Sequence, residues 1–254
     1  MNERKVAVYF IGAGPGDPEL ITVKGQRIIQ IADLVLYAGS LVPKELVSCA
    51  GPHARVLDSS PMTLEQTHTL MVETVRSGGL VARVHTGDPS LYGAVREQMV
   101  LLDKEGITYE IIPGVTAAFA AAAAANVSFT IPRSRQSLIF TRMEGRTRVR
   151  DGERLESLAS HNTSMAIYLS ASDVVRLQER LLRGGYPPET MVVVGYRVGW
   201  PDQVILRASL KDLADSVKER GIRRQAVFLV LPGEENVTER SRLYSTDFSH
   251  GFRK

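Results

Sequence analysis

The sequence predicts an α/β protein built as two consecutive α/β domains with mostly parallel sheets. Three observations carry this expectation. Short Val-, Ile- and Leu-rich runs alternate with amphipathic runs almost from end to end, the pattern of strands joined by helical crossovers. Those short runs are apolar throughout rather than alternating, as strands covered on both faces are. The length, 254 residues, suits one large domain or two small ones, and 44% hydrophobic with 23% charged residues is ordinary for a globular chain.

Strands are expected at residues 6–11, 34–37, 80–85 and 109–112, then at 138–141, 165–169, 191–196 and 226–231. Thr63 and Gln66 form a capping-box pair ahead of an apolar-periodic run, so a helix starts there. Ser172 and Ser209 are expected to cap helices that end near Gly184 and Gly221. Pro113-Gly114 closes a strand and precedes the alanine-rich stretch 116–125, whose helix propensity and small side chains suit a tightly packed helix. The domain break is placed there, giving domains 1–113 and 114–233 and a polar tail, 234–254. The tail carries Leu243, Tyr244, Phe248 and Phe252, which need burial on the parent domain or on a partner subunit.

Composition excludes several classes. No apolar run approaches the roughly 18–20 residues of a membrane span, so no membrane partner is expected. The opening MNERKVAVYF lacks a signal-peptide core, and Cys49 is the sole cysteine, so a reducing cytoplasm is the expected setting. No internal disulfide or cysteine-based zinc cluster is possible. His53, His68, His85, His161 and His250 lack metal spacing, so no metal is expected, and only His85 adjoins a candidate site. There is no G-x-S-x-G elbow and no evident acid–base pair. The net charge of +3 gives little reason to expect nucleic acid. The basic residues are uneven, however: Arg133, Arg135, Arg142, Arg146, Arg148 and Arg150 share one segment with a single acid, Glu144. Guanidinium forks there would suit phosphate or carboxylates, or the segment is a solvated loop.

Three loops follow expected strands. Gly12-Ala13-Gly14-Pro15-Gly16-Asp17-Pro18 has glycines for a sharp turn and a close backbone approach. It is not a dinucleotide fingerprint: Asp17 stands where the third glycine of G-x-G-x-x-G belongs, and the next strand ends in Tyr37-Ala38-Gly39 without an acid. No G-K-[ST] follows, which excludes a P-loop. His85-Thr86-Gly87-Asp88-Pro89-Ser90-Leu91-Tyr92-Gly93 and Pro113-Gly114-Val115-Thr116-Ala117 are the other two. In open parallel sheets, ligands bind beyond the carboxyl ends of strands, so the loops read as walls of one pocket. The alternative is a pair of Asp-Pro turns, with Asp88 capping a helix that begins near Tyr92.

These loops resemble those of the tetrapyrrole methylase family. Residues 8–42 resemble its N-terminal signature, 85–93 its Gly-Asp-Pro loop and 113–118 its P-G-[VI]-[ST]-A-A segment, in order and over nearly the whole chain. Within the family, Ala38-Gly39-Ser40-Leu41-Val42, residues 60–65, Thr141-Arg142-Met143-Glu144-Gly145-Arg146-Thr147 and the ending Ser249-His250-Gly251-Phe252-Arg253 are similar to the branch that methylates C11 of precorrin-4 in cobalamin synthesis. Arg148-Val149-Arg150-Asp151 departs from that branch, which usually has proline there. The resemblance implies two α/β domains with S-adenosylmethionine in the cleft between them, a polycarboxylate tetrapyrrole substrate, no metal, and a homodimer. By the same resemblance the cofactor contacts fall on Pro15, Thr86, Gly87, Asp88, Leu91, Thr116, Ala117, Leu169, Arg197 and Ala226. Leu169 has a second reading as a core residue at a strand end. Arg142, Glu144 and Arg146 are the substrate candidates, with an ion-pair network that shapes the loop as their competing role. Asp88, Arg142 and Glu144 are the candidates for a catalytic part. Rival readings are a same-fold methyltransferase for another tetrapyrrole carbon or for ribosomal RNA, and a non-catalytic module that binds S-adenosylmethionine.

Overall fold

The structure, a computed structural model, describes residues 6–145, 147–234 and 249. Arg146 and the tail residues Leu243, Tyr244, Phe248 and Phe252 lie outside the described residues. The chain divides into two units: residues up to 120 together with Val198–Asp202, and residues 121–197 together with those from 203 on. Among the described residues no helix is long and apolar enough to cross a membrane.

In the first unit, β1 (Val8–Gly12), β2 (Leu34–Tyr37), β3 (Arg55–Asp58), β4 (Val81–His85) and β5 (Tyr109–Ile112) form a sheet of order β3-β2-β4-β1-β5. All its pairings are parallel. The crossovers are α1 (Val23–Ile31), α2 (Lys44–Val47), α3 (Leu64–Arg76) and α4 (Val95–Lys104). The expected capping box is present: the Thr63 hydroxyl accepts from Gln66 N, and the Gln66 side chain accepts from Thr63 N. The sheet is covered on both faces. Ile11, Val35, Ala82 and Val84 pack with Ile28, Ile29 and Leu46 on one side. Val8, Phe10, Leu34, Leu36 and Val81 pack with Met71 and Leu102 on the other. Two-sided burial is why these strands read as unbroken apolar runs.

In the second unit, β6 (Leu138–Arg142), β7 (Ser164–Tyr168), β8 (Met191–Tyr196), β9 (Val204–Ser209) and β10 (Ala226–Leu231) are ordered β6-β7-β10-β8-β9. Here β6 and β7 are parallel and the other three pairings antiparallel. With the four of the first sheet, five pairings in eight are parallel. Helices α6 (Leu155–Ala159), α7 (Val174–Arg183) and α8 (Leu213–Glu219) bury Leu155, Leu177, Leu181, Leu213 and Val217 against Met165, Ile167, Val192, Val194, Phe228 and Val230.

Several expectations need correction. Strands β3 and β9 are absent from the sequence reading; both are sheet edges with partly exposed, mixed sequences, RVLD and VILRAS. Asp173, not Ser172, caps α7, its side chain accepting from Arg176 N. Ser209 opens a short 3-10 turn, Leu210–Asp212, and its hydroxyl bonds Asp212 Oδ2 rather than capping α8. The two units part inside α5 (Ala117–Ala124), a few residues beyond Pro113-Gly114. Gly114 packs against Gly12 and Gly87, which keeps that loop in the first unit.

Candidate functional site

The three glycine loops of the first unit converge because their strands β4, β1 and β5 are neighbours in the sheet. Ala13 N donates to the His85 carbonyl at 2.8 Å, and Gly87 N donates to the Gly14 carbonyl at 2.8 Å. A Cβ on Gly12 would lie 2.6 Å from Gly114 Cα, and one on Gly114 only 2.2 Å from the Gly87 carbonyl oxygen. Real side chains do not fit there, so backbone packs directly on backbone. Gly87 differs. Its φ of +62° is left-handed, and a Cβ on it would meet only Thr116 Cα, at 3.8 Å. One face of the Gly87 peptide is therefore open beside Thr116, a bare-backbone cradle.

Asp88 fastens two of these loops together. One carboxylate oxygen accepts from Ser90 N at 2.8 Å and from the Ser90 hydroxyl; the other accepts from Gly114 N at 2.9 Å. Burial raises its pKa, the Ser90 and Gly114 donors lower it, and the net position is below the usual carboxylate range. The alternative role as a helix cap is not what the structure shows. Helix α4 starts later, at Val95, behind Ala94, which makes no side-chain cap bond.

Pro15 is buried, and its carbonyl accepts from Trp200 Nε1 at 3.2 Å. The indole lies against Gly16, where a Cβ would sit 2.3 Å from its Cδ1. Trp200, which belongs to the excursion 198–202, was not singled out in the sequence. Its signal is its place as the chain's single tryptophan between Gly199 and Pro201. Beneath the loops, His85 is 6% exposed, and burial together with the Arg83 charge pushes its pKa down to about 3. The ring is neutral, and its Nε2 has no partner among the described residues. Buried Arg83 donates to Gln98, Ser59 and the Leu36 carbonyl, and burial lowers its pKa to about 10. Thr86, Leu91 and Ala117 are half-buried in the same loops, and Thr116 is buried.

The second unit gathers its own set at one end of its sheet. Register places Arg142 beside Tyr168, and Tyr196 beside Ala226. Leu169 directly follows β7 with a left-handed φ of +53° and is 69% exposed, so it is not a core residue. Arg197 (φ +45°) and Gln225 (φ +54°) are joined twice, by Arg197 N to the Gln225 carbonyl and by Arg197 Nη1 to Gln225 Oε1. A left-handed non-glycine residue costs about 1–2 kcal/mol, and such strain clusters at functional positions.

Arg142 donates to the carbonyls of Met143, Thr147 and Arg148 at 3.3–3.5 Å, so it shapes its own loop. Glu144 accepts from Arg176 at 3.0 Å and from Arg180. The Arg180 hydrogen bond chiefly holds its carboxyl below the usual range. Its competing role in an ion-pair network is thus realised.

Two α/β units, the first with glycine loops at its strand ends and the second with arginines at the end of its sheet, define the class of α/β protein. The family of tetrapyrrole (corrin/porphyrin) methylases matches residues 7–214, and the chain belongs to that family. It is 48% identical over 251 residues to the cobalt-precorrin-4 C(11)-methyltransferase of Priestia megaterium, covering 97% of each chain. It is 45% identical over 252 residues to the precorrin-4 C(11)-methyltransferase of Pseudomonas aeruginosa, covering 98% of this chain and 99% of that one. The X-ray structure of a cobalt precorrin-4 methyltransferase superposes with a TM-score of 0.87 at 48% identity, over 89% of this chain and 94% of the other.

Proposed function

We propose that the protein transfers the methyl group of S-adenosylmethionine to C11 of precorrin-4, or of its cobalt form, in cobalamin biosynthesis. The observation that carries this reading is the 48% identity spanning 97% of both chains with a relative of that activity. The rivals, another tetrapyrrole carbon, ribosomal RNA or binding without catalysis, have no observation of that weight.

The residues fit the cofactor. The open face of Gly87 beside Thr116 offers bare backbone to a ligand, and neutral His85 adds no positive charge next to a cationic one. When bound, S-adenosylmethionine supplies a methyl group on a positively charged sulfur. The Gly14–Gly87 backbone pairing and the Asp88 bond to Gly114 fix the loop backbone, and Trp200 closes over Pro15 and Gly16. Positioning of this kind, with water excluded, supplies a large part of a transfer rate. Pro15, Thr86, Gly87, Leu91, Thr116 and Ala117 are the proposed contacts in these loops, with Asp88 as their fastener. Leu169, Arg197 and Ala226 are assigned by resemblance. The arginine-bearing loop with Arg142 and Arg146 would meet the substrate carboxylates. The reading includes a cytoplasmic homodimer and assigns no metal.

The test is labelled S-adenosylmethionine with a panel of precorrin and cobalt-precorrin intermediates, in excess chelator. Methylation of precorrin-4 or its cobalt form, and of no other intermediate, is expected, with cofactor binding near micromolar by calorimetry. Binding lost on chelation, or transfer to a different intermediate, would overturn it. Light scattering near 28 kDa at every concentration would remove the dimer.

A further inference from the structure

Arg180 is the most connected side chain that the proposed reaction leaves unused. It stands on α7 with its side chain 12% exposed. Its Nη2 donates to Glu144, and its Nε lies 3.3 Å from Glu156 Oε1. Arg176, one turn earlier on α7, donates to the same Glu144 oxygen. Glu144 opens the segment between β6 and α6, and Glu156 lies in the first turn of α6, where that segment ends. One guanidinium therefore holds the residues that flank the segment 147–154 on either side. Arg148 and Arg150 are exposed on it, and Arg142 braces it from within.

The cluster is a poor stabiliser in its own right. Glu144 Oε2, Glu156 Oε2 and Arg180 Nη1 are all buried without a partner among the described residues. Incompletely satisfied buried ion pairs contribute little net stability, and their best-attested use is to fix an arrangement. What this one fixes is a loop of arginines. A cationic loop pinned at both ends presents its charges already ordered, which removes much of the cost of immobilising them on a polyanion.

We infer that Arg180 is a positioning residue for substrate recognition. Through Glu144 and Glu156 it holds residues 147–154 so that Arg148 and Arg150 receive carboxylates of the tetrapyrrole. This rests on the reaction proposed above.

The test uses the full chain with Arg180→Gln and Arg180→Lys. Arg180→Gln should raise KM for precorrin-4 about tenfold with kcat changed less, while S-adenosylmethionine affinity stays within about twofold. It should also speed tryptic cleavage after Arg148 and Arg150. Arg180→Lys should fall between, because an ammonium cannot hold two carboxylates in a planar fork. If Arg180→Gln does not fold, Glu156→Gln releases one end only and should shift both readouts in the same direction, by less. The double variant Arg148→Gln, Arg150→Gln should raise the same KM. Unchanged KM and cleavage rate beside a lower melting temperature would overturn the inference, as would an equal loss of cofactor affinity. A wild-type protein that binds S-adenosylmethionine but methylates no precorrin defeats the reaction instead, and the cleavage comparison still reads the grip of Arg180.

Discussion

At the ends of β1, β4 and β5, Gly12, Gly87 and Gly114 press backbone on backbone, whereas at one end of the second sheet Leu169, Arg197 and Gln225 hold left-handed backbone without being glycine. The two regions meet opposite constraints. The first excludes side chains at Gly12 and Gly114, because a Cβ at either collides with a carbonyl or a Cα. The second retains particular side chains although glycine would be easier there. A site built from backbone is sensitive to volume; one built from strained side chains is sensitive to identity.

The largest expected effect breaks the first region. Gly114→Ala puts a Cβ 2.2 Å from the Gly87 oxygen. It should cost about 1–3 kcal/mol or more in denaturant unfolding and weaken S-adenosylmethionine binding at least about a hundredfold. Near-normal affinity would show that the glycine contact is not needed for the cradle.

Asp88→Asn comes next. Both oxygens of Asp88 accept from N–H or O–H groups, so an amide NH2 must face a donor on one side. A loss of about 1.5–3 kcal/mol is expected at neutral pH, with weakened cofactor binding. The penalty should shrink in acid. The native pKa of Asp88 is depressed, so its stabilisation is present above the unfolded value, about 3.9, and is lost as pH falls through the native one. Melts of both proteins from pH 7 to pH 3 check this.

His85 sharpens the same region at milder acidity. Its native pKa of about 3 lies below the unfolded value near 6.5, so folding favours the neutral ring. That contribution is complete above pH 6.5 and declines as pH falls toward 3. Its ring resonances should therefore not titrate between pH 8 and pH 5; a midpoint near 6.5 would contradict its burial.

The smallest effect tests the second region. Leu169→Gly removes left-handed strain from an exposed residue, so stability should stay within about 1 kcal/mol of wild type or rise. If Leu169 touches the cofactor, affinity should still fall several-fold. Equal affinity would remove Leu169 from the contact set.

Much of this was legible in the sequence because it depends on local chemistry. The two-faced apolar strands, the Thr63–Gln66 capping box and the glycine loops each carry their cause within a few residues. Strands β3 and β9 were not legible, since RVLD and VILRAS mix charged or polar with apolar residues and follow no period. The capping alternative for Asp88 could not be dismissed from sequence because the bond that decides it comes from Gly114, 26 residues away. Nor could spacing foretell that Glu144 and Glu156 share Arg180, because that pairing exists only once α6 and α7 pack together.

The excursion 198–202 has a consequence for how the molecule is made. Trp200 closes over Pro15 and Gly16, yet it is synthesised about 180 residues after them, once residues 121–197 of the second unit have been made. The glycine loop 12–18 therefore stays uncapped until Trp200 has been made. A fragment ending at residue 120 would expose it permanently. Supplying residues 198–202 through a short engineered linker is the rational way to obtain the first unit alone.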